Sequence, residues 1–144
     1  MSDAATLTHD LGFEELLEPG EGAELGLIEK IRSGLSIEIL DLFVGADILS
    51  KEDIERTIGA SRTIARRRAD KQKLNPSESD RLLRIVRIVI LAVSVFGSTE
   101  KAHRWFYTPN NALEGREPFQ LLDTDLGIKM VEKVLNRIEY GVFS

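Results

Sequence analysis

The chain has no cysteine and only two histidines, which closes off several kinds of chemistry. Without thiols there is neither a disulfide framework nor a thiolate metal site, and an intracellular setting is permitted without being required. His103 has no second ligand residue at i+3 or i+4, and His9 lies in an acidic amino-terminal stretch, so structural roles are expected and neither a metal nor another cofactor is predicted. Long apolar runs are missing too. The longest, Ile88 to Phe96, is interrupted by Ser94 and falls short of the roughly 20 residues a membrane span needs. No charged-then-apolar segment opens the chain, so a soluble, cytoplasmic protein with no membrane partner is expected. There is no G-x-S-x-G, no P-loop, no G-x-G-x-x-G, and no histidine beside a nucleophile,. Glu114, Glu117, Asp123 and Asp125 cluster near one helix start, where the helix dipole favours acids, so they are read as loop and cap residues,. No enzyme is expected.

What is present is enough apolar content, 42% of 144 residues, for one compact domain or two small ones sharing a core. The net charge of -5 argues against nucleic-acid binding until its distribution is considered. Residues 1–60 hold 4 basic and 14 acidic side chains, residues 61–73 hold 6 and 1, and residues 74–144 hold 9 of each. A single basic block in an acidic protein is the electrostatic pattern that phosphate binding requires.

Residues 1–22 are acidic, rich in small residues and broken by Pro19 and Gly20, which predicts a flexible tail with at most a short helix at Leu11 to Leu17,. Leu25, Ile28 and Ile31 mark a first full helix ending at Gly34. Ser36 caps a second, with Ile37, Leu40, Leu42 and Phe43 as its apolar surface and Gly45 as its stop,. Ser50, with Asp53 three residues on, opens a short helix that Gly59 interrupts, and Ser61 caps another that runs to about Gln72,. Two short helices joined through a glycine over residues 50–72 are the pattern of a helix-turn-helix. The second helix of such a pair enters the major groove, and here it carries Ser61, Arg62, Thr63, Arg66, Arg67, Arg68 and Lys71. Arginine forks match guanine edges or phosphates, while a hydroxyl and helix amino-terminal amides suit phosphate oxygens. Ile64 and Ala65 are assigned to the face against the supporting helix. DNA contact through Ser61, Arg62, Thr63, Arg66, Arg67 and Lys71, by a dimer meeting two half-sites, is the expectation; a solvated, salt-bridged helix face is the alternative.

Asn75, Pro76 and Glu78 supply cap, first turn and third position of the next helix. It continues through Leu82, Ile85, Val89 and Val93 to Phe96, with Arg81, Arg84 and Arg87 as a basic stripe and no charge beyond. A helix apolar all round is buried all round. Gly97 breaks it, and Ser98 starts a helix to Tyr107 whose inner face is assigned to Ala102, Trp105 and Phe106. Pro109 to Leu122 is too apolar for a solvated loop, so Ala112, Leu113, Phe119, Leu121 and Leu122 are expected to pack under the last helix, with Trp105 as anchor. That helix starts after Thr124 and buries Val131, Val134, Leu135 and Ile138. Gly141 ends it, leaving Val142, Phe143 and Ser144,.

The order Trp105, Pro109, Asn110, Ala112, Leu113, Gly115, Pro118, Leu121, Leu122, Gly127, Val131, Leu135, Ile138, Tyr140, Gly141 resembles the carboxyl-terminal domain of Xre/MbcA/ParS-type antitoxins, and the likeness extends less sharply back to Gly22. The resemblance implies an all-α protein in which a helix-turn-helix DNA-binding unit precedes a small helical toxin-binding domain. Its layout would be an acidic tail over 1–22, a helical region with the helix-turn-helix and central helix over 23–96, and the antitoxin domain over 97–144. The implied partners are a RES-domain toxin that destroys NAD, operator DNA, a second copy of the chain, and a higher toxin–antitoxin hetero-oligomer. Arg137, Tyr140, Gly141, Val142, Phe143 and Ser144 would then meet the toxin, the terminal carboxylate sitting where the NAD phosphates go. Without the resemblance, Val142 and Phe143 would simply fold back on Leu135 and Ile138. A stand-alone helix-turn-helix repressor is the competing function.

Overall fold

The computed structural model describes residues 3–11 and 22–141. Among them are eight α-helices, two 3-10 turns and no strand beyond an isolated bridge between Asn110 and Arg116, as the all-α reading requires. The chain forms two compact units, residues 8–84 and residues 85–144 together with 1–7.

The first helix, α1 (Ala4–Leu11), begins earlier than expected: the Thr6 amide donates to Asp3 Oδ1 at 2.8 Å, a bond that holds the Asp3 carboxyl below its ordinary value. Most of the helix anticipated at Leu11 to Leu17 lies outside the described residues. In the unit over 8–84, α2 (Ala23–Ser33) and α3 (Glu38–Gly45) are followed by α4 (Lys51–Thr57), α5 (Ser61–Ala69) and the first part of α6 (Pro76–Phe96). Phe43, Leu40, Ile58, Leu74 and Leu82 are fully buried. A seam joins distant junctions: the Leu35 amide donates to Ser79 Oγ at 2.9 Å, and the Leu74 amide to the Leu35 carbonyl at 3.0 Å. Gly34 permits this approach at φ 91°, since a Cβ there would lie 2.5 Å from the Leu74 carbonyl oxygen,.

Two of the apolar residues that mark α2 and one of α3 face solvent. Leu25 is 68% exposed and Ile28 is exposed, while Leu27 is buried; repeated steps of three residues wind around a 3.6-residue helix instead of holding one face. Leu42 is exposed because it stands two residues from Leu40, on the far side of α3,. Helix α3 starts at Glu38 after Ile37, so Ile37 and not Ser36 holds its cap position. Ser61 is the first helical residue of α5, with Ala60 at the cap, and the helix ends at Ala69 instead of Gln72 because Lys71 turns to φ 55°.

In the unit over 85–144, the chain turns by 112° between α6 and α7 (Thr99–Phe106), through Gly97 at φ 92°. Among the described residues no single helix is long and apolar enough to cross a membrane. Ser98 caps α7 by accepting the Lys101 amide at 3.2 Å. The segment after α7 holds 3-10 turns at Asn111–Leu113 and Pro118–Leu121, and both pack against α8 (Asp125–Glu139). Leu113, Phe119 and Leu122 are buried as expected, whereas Ala112 is exposed. Trp105 is not the anchor. It is half-buried against Phe96, and the ring cluster under α8 is Phe106 edge-on to Phe119, with Tyr107 stacked on Phe119 at 5.3 Å.

Candidate functional site

The helix-turn-helix is built from local caps. Ser50 Oγ accepts the Asp53 amide at 3.1 Å while Asp53 Oδ2 accepts the Ser50 amide at 3.0 Å, which fixes the start of α4,. Glu55 Oε1 accepts the Ser61 amide at 3.3 Å and so ties α4 to the first residue of α5. Ile64 is buried and turns one side of α5 inward; a 3.6-residue period then puts Arg62, Arg66 and Ala69 on the outward side, and all three are exposed,. Ala65, which sequence places against the supporting helix, is exposed but borders the same cavity as Ile54 of α4 and Leu40 of α3.

The basic run divides. Arg62 and Arg66 are exposed and unpaired among the described residues. Arg67 turns inward, its Nε 2.8 Å from Glu78 Oε1, the side chains only 19% and 5% exposed. Arg68 grips Asp41 of α3 with both Nη atoms, at 2.7 and 2.9 Å, and this bond holds its guanidinium above the ordinary value. Contrary to its expected place on DNA, Arg67 is committed to a buried carboxylate, because its position follows Ile64 by three residues and shares the inner side. Ser61 is exposed, Thr63 is half-buried, and Lys71 lies beyond the end of α5.

In the other unit, Thr124 Oγ1 accepts the Gly127 amide at 2.9 Å and starts α8. A Cβ on Gly127 would lie 1.8 Å from the Leu121 carbonyl oxygen, so the second 3-10 turn packs directly on the helix backbone. Ile128, Val131, Val134 and Leu135 are buried and Ile138 is half-buried. On the opposite side, Leu126 (72% exposed), Met130 (42%) and Tyr140 (76%) are exposed, with exposed Lys133 and Arg137 between them. Alternating steps of four and three keep these five residues in one line. The line holds Arg137 and Tyr140, which the resemblance puts against the toxin, together with Leu126 and Met130, whose spacing the sequence also shows. Gly141, at φ 65°, donates its amide to the Ile138 carbonyl at 3.2 Å. Val142, Phe143 and Ser144 lie outside the described residues.

The loop acids take part in local structure: Asp125 pairs with Lys129 at 3.3 Å, and Glu117 donates its amide to Gln120 Oε1 at 3.2 Å. His103 packs against Tyr107, ring centres 4.7 Å apart and planes tilted by 44°. Among the described residues, no group of three His, Cys, Asp or Glu side chains is arranged to hold a metal.

Residues 26–87 match the antitoxin Xre-like helix-turn-helix domain, and residues 91–141 match the antitoxin Xre/MbcA/ParS C-terminal toxin-binding domain. Antitoxin Xre of Yersinia enterocolitica is 36% identical over 142 residues, covering 97% of this chain and 95% of that protein. Antitoxin Xre of Photorhabdus laumondii is 34% identical over 116 residues, covering 79% and 78%. Antitoxin Xre of Pseudomonas putida is 40% identical over 80 residues, covering 56% and 50%.

Proposed function

Because the chain belongs to the Xre antitoxin family, we propose that it neutralises a RES-domain toxin that degrades NAD and represses its own operon by binding operator DNA. It acts without catalysis of its own, in the cytoplasm, as a homodimer that joins its toxin in a larger hetero-oligomer. One observation supports both halves of this reading. Each matched domain presents a helix face whose long side chains point to solvent: Arg62 and Arg66 on α5, and Leu126, Met130, Lys133, Arg137 and Tyr140 on α8.

On α5, two exposed guanidinium groups beside the small Ala69 suit a groove whose floor must be approached closely. Two copies would place two such helices in successive half-sites. On α8, an apolar line carrying cations and a terminal tyrosine has the composition of a binding anchor. Beyond it, Val142 and Phe143 would fill an apolar wall of the toxin cleft, and the Ser144 carboxylate would occupy its phosphate-binding position. A stand-alone repressor has no use for the α8 line.

The test measures both activities on one variant. Replacing Arg62 and Arg66 with alanine is expected to cost about 1–3 kcal/mol of operator affinity for each arginine that reads a base, while cells expressing the cognate toxin still keep their NAD. Unchanged operator affinity would remove the assignment of DNA reading to α5, and unprotected NAD with wild-type antitoxin would remove the RES partner.

A further inference from the structure

Glu78 has two tasks at once. As the third residue of α6 it accepts the Asn75 amide on Oε1 at 2.9 Å, while its own amide donates to Asn75 Oδ1 at 2.8 Å. The same Oε1 lies 2.8 Å from Arg67 Nε of α5. A capping carboxylate on a helix start is normally solvated; this one is 4% exposed and directed into the helix-turn-helix. One turn along α6, Arg81 donates from Nε and Nη2 to the Ile58 carbonyl, at 3.0 and 2.8 Å. That carbonyl belongs to the turn between α4 and α5. Between the two grips sits Gly59, where an added Cβ would lie 3.4 Å from Glu78 Oε2 and 3.7 Å from Ile64 Cδ1. The start of α6 therefore holds the turn with an arginine and the recognition helix with a carboxylate.

Resting on the reading of α5 as the DNA-binding helix, we propose that Glu78 is a positioning residue for sequence recognition. Through Arg67 it fixes the rotation of α5 that turns Arg62 and Arg66 outward, and it keeps a third guanidinium away from the phosphates. Phosphate contacts raise affinity for every sequence alike, whereas base contacts discriminate. Withholding Arg67 thus favours discrimination over raw affinity.

Glu78→Gln isolates the charge, since glutamine keeps the length and the carbonyl oxygen that accepts the Asn75 amide. The binding of the purified full chain is measured across a salt series, on duplex from upstream of its own coding region and on random duplex of equal length. The released Arg67 gains a phosphate: the variant binds random duplex more tightly, its log–log salt slope steepens by about 1, and its ratio of specific to random affinity falls. Adding Arg67→Gln to Glu78→Gln returns the slope to the wild-type value while the ratio stays low. A wild-type slope and ratio in a folded Glu78→Gln protein overturn the proposal. If that variant does not fold, the pair Glu78→Gln with Arg67→Met removes both charges and is judged on the ratio alone, an unchanged ratio being fatal. Failure of the wild-type protein to bind either duplex would instead strike the underlying DNA reading.

Discussion

At the scale of single residues, the narrowest tolerance is at Gly127. The backbone there is ordinary α-helix, so the need for glycine does not come from torsion angles. It comes from the Leu121 carbonyl oxygen, 1.8 Å from where a Cβ would stand, and from Thr124 Oγ1 at 2.9 Å. Neither can move without breaking the cap of α8 or the 3-10 turn that carries buried Phe119. Gly127→Ala is therefore expected to destabilise the unit by at least the 1–3 kcal/mol typical of an overpacked core, as a lower urea midpoint followed by Trp105 fluorescence. Gly115 and Gly97 lack such neighbours. Trp105 shows the opposite lesson. Size makes it the expected anchor, yet its neighbour Phe106 takes the buried position and leaves the indole against Phe96 near the surface.

At the scale of elements, helix starts are where sequence and structure agree best. Ser50 with Asp53, Asn75 with Glu78, Ser98 and Thr124 all accept the amides expected of them, because a cap is settled within four residues by hydrogen-bonding chemistry alone. Thr124→Ala should cost about 1 kcal/mol by loss of the Gly127 amide's acceptor; thermal unfolding of the purified variant measures it, and Thr124→Ser should restore most of the loss. Pairings across the fold are not legible in the same way. Nothing near Arg68 in the chain announces Asp41, 27 residues earlier, and nothing in the run of arginines separates the two that face outward from the two held by acids. The division follows from which side of α5 Ile64 buries, and a nine-residue helix with one buried apolar anchor gives too weak a period to show it. The exposed line on α8 is legible by spacing, but the apolar period of its buried side is the stronger signal and hides it.

For the whole molecule, the charge distribution takes on a structural meaning. Two of the basic side chains in residues 61–73 pair with Glu78 and Asp41, so a chain of net charge -5 has a smaller unpaired cationic face on α5 than its composition suggests, and on the proposed reading this is the face that would meet DNA. Toxin binding falls, on that reading, to the domain matched over residues 91–141 and is separable from DNA binding by mutation. Deleting residues 140–144 should leave operator binding intact while cells lose protection of their NAD against the toxin. Full protection by the truncated chain at equal expression would refute a terminal plug, and Leu126→Ser with Met130→Ser would then locate the contact along α8.

The hydrogen bond from Leu35 to Ser79 spans 44 residues, so it closes a far longer loop than the turns of the 8–84 unit do. The turns within it close over a handful of residues, and the entropy of loop closure grows as about (3/2)RT ln n. The ends of α4 and α5 meet at little cost in chain freedom, whereas the Leu35 seam costs more chain entropy to close. The Leu35 and Leu74 amides, buried and paired across this seam, are therefore expected to be among the slowest to exchange their hydrogens in the 8–84 unit, which amide hydrogen exchange on the purified chain measures.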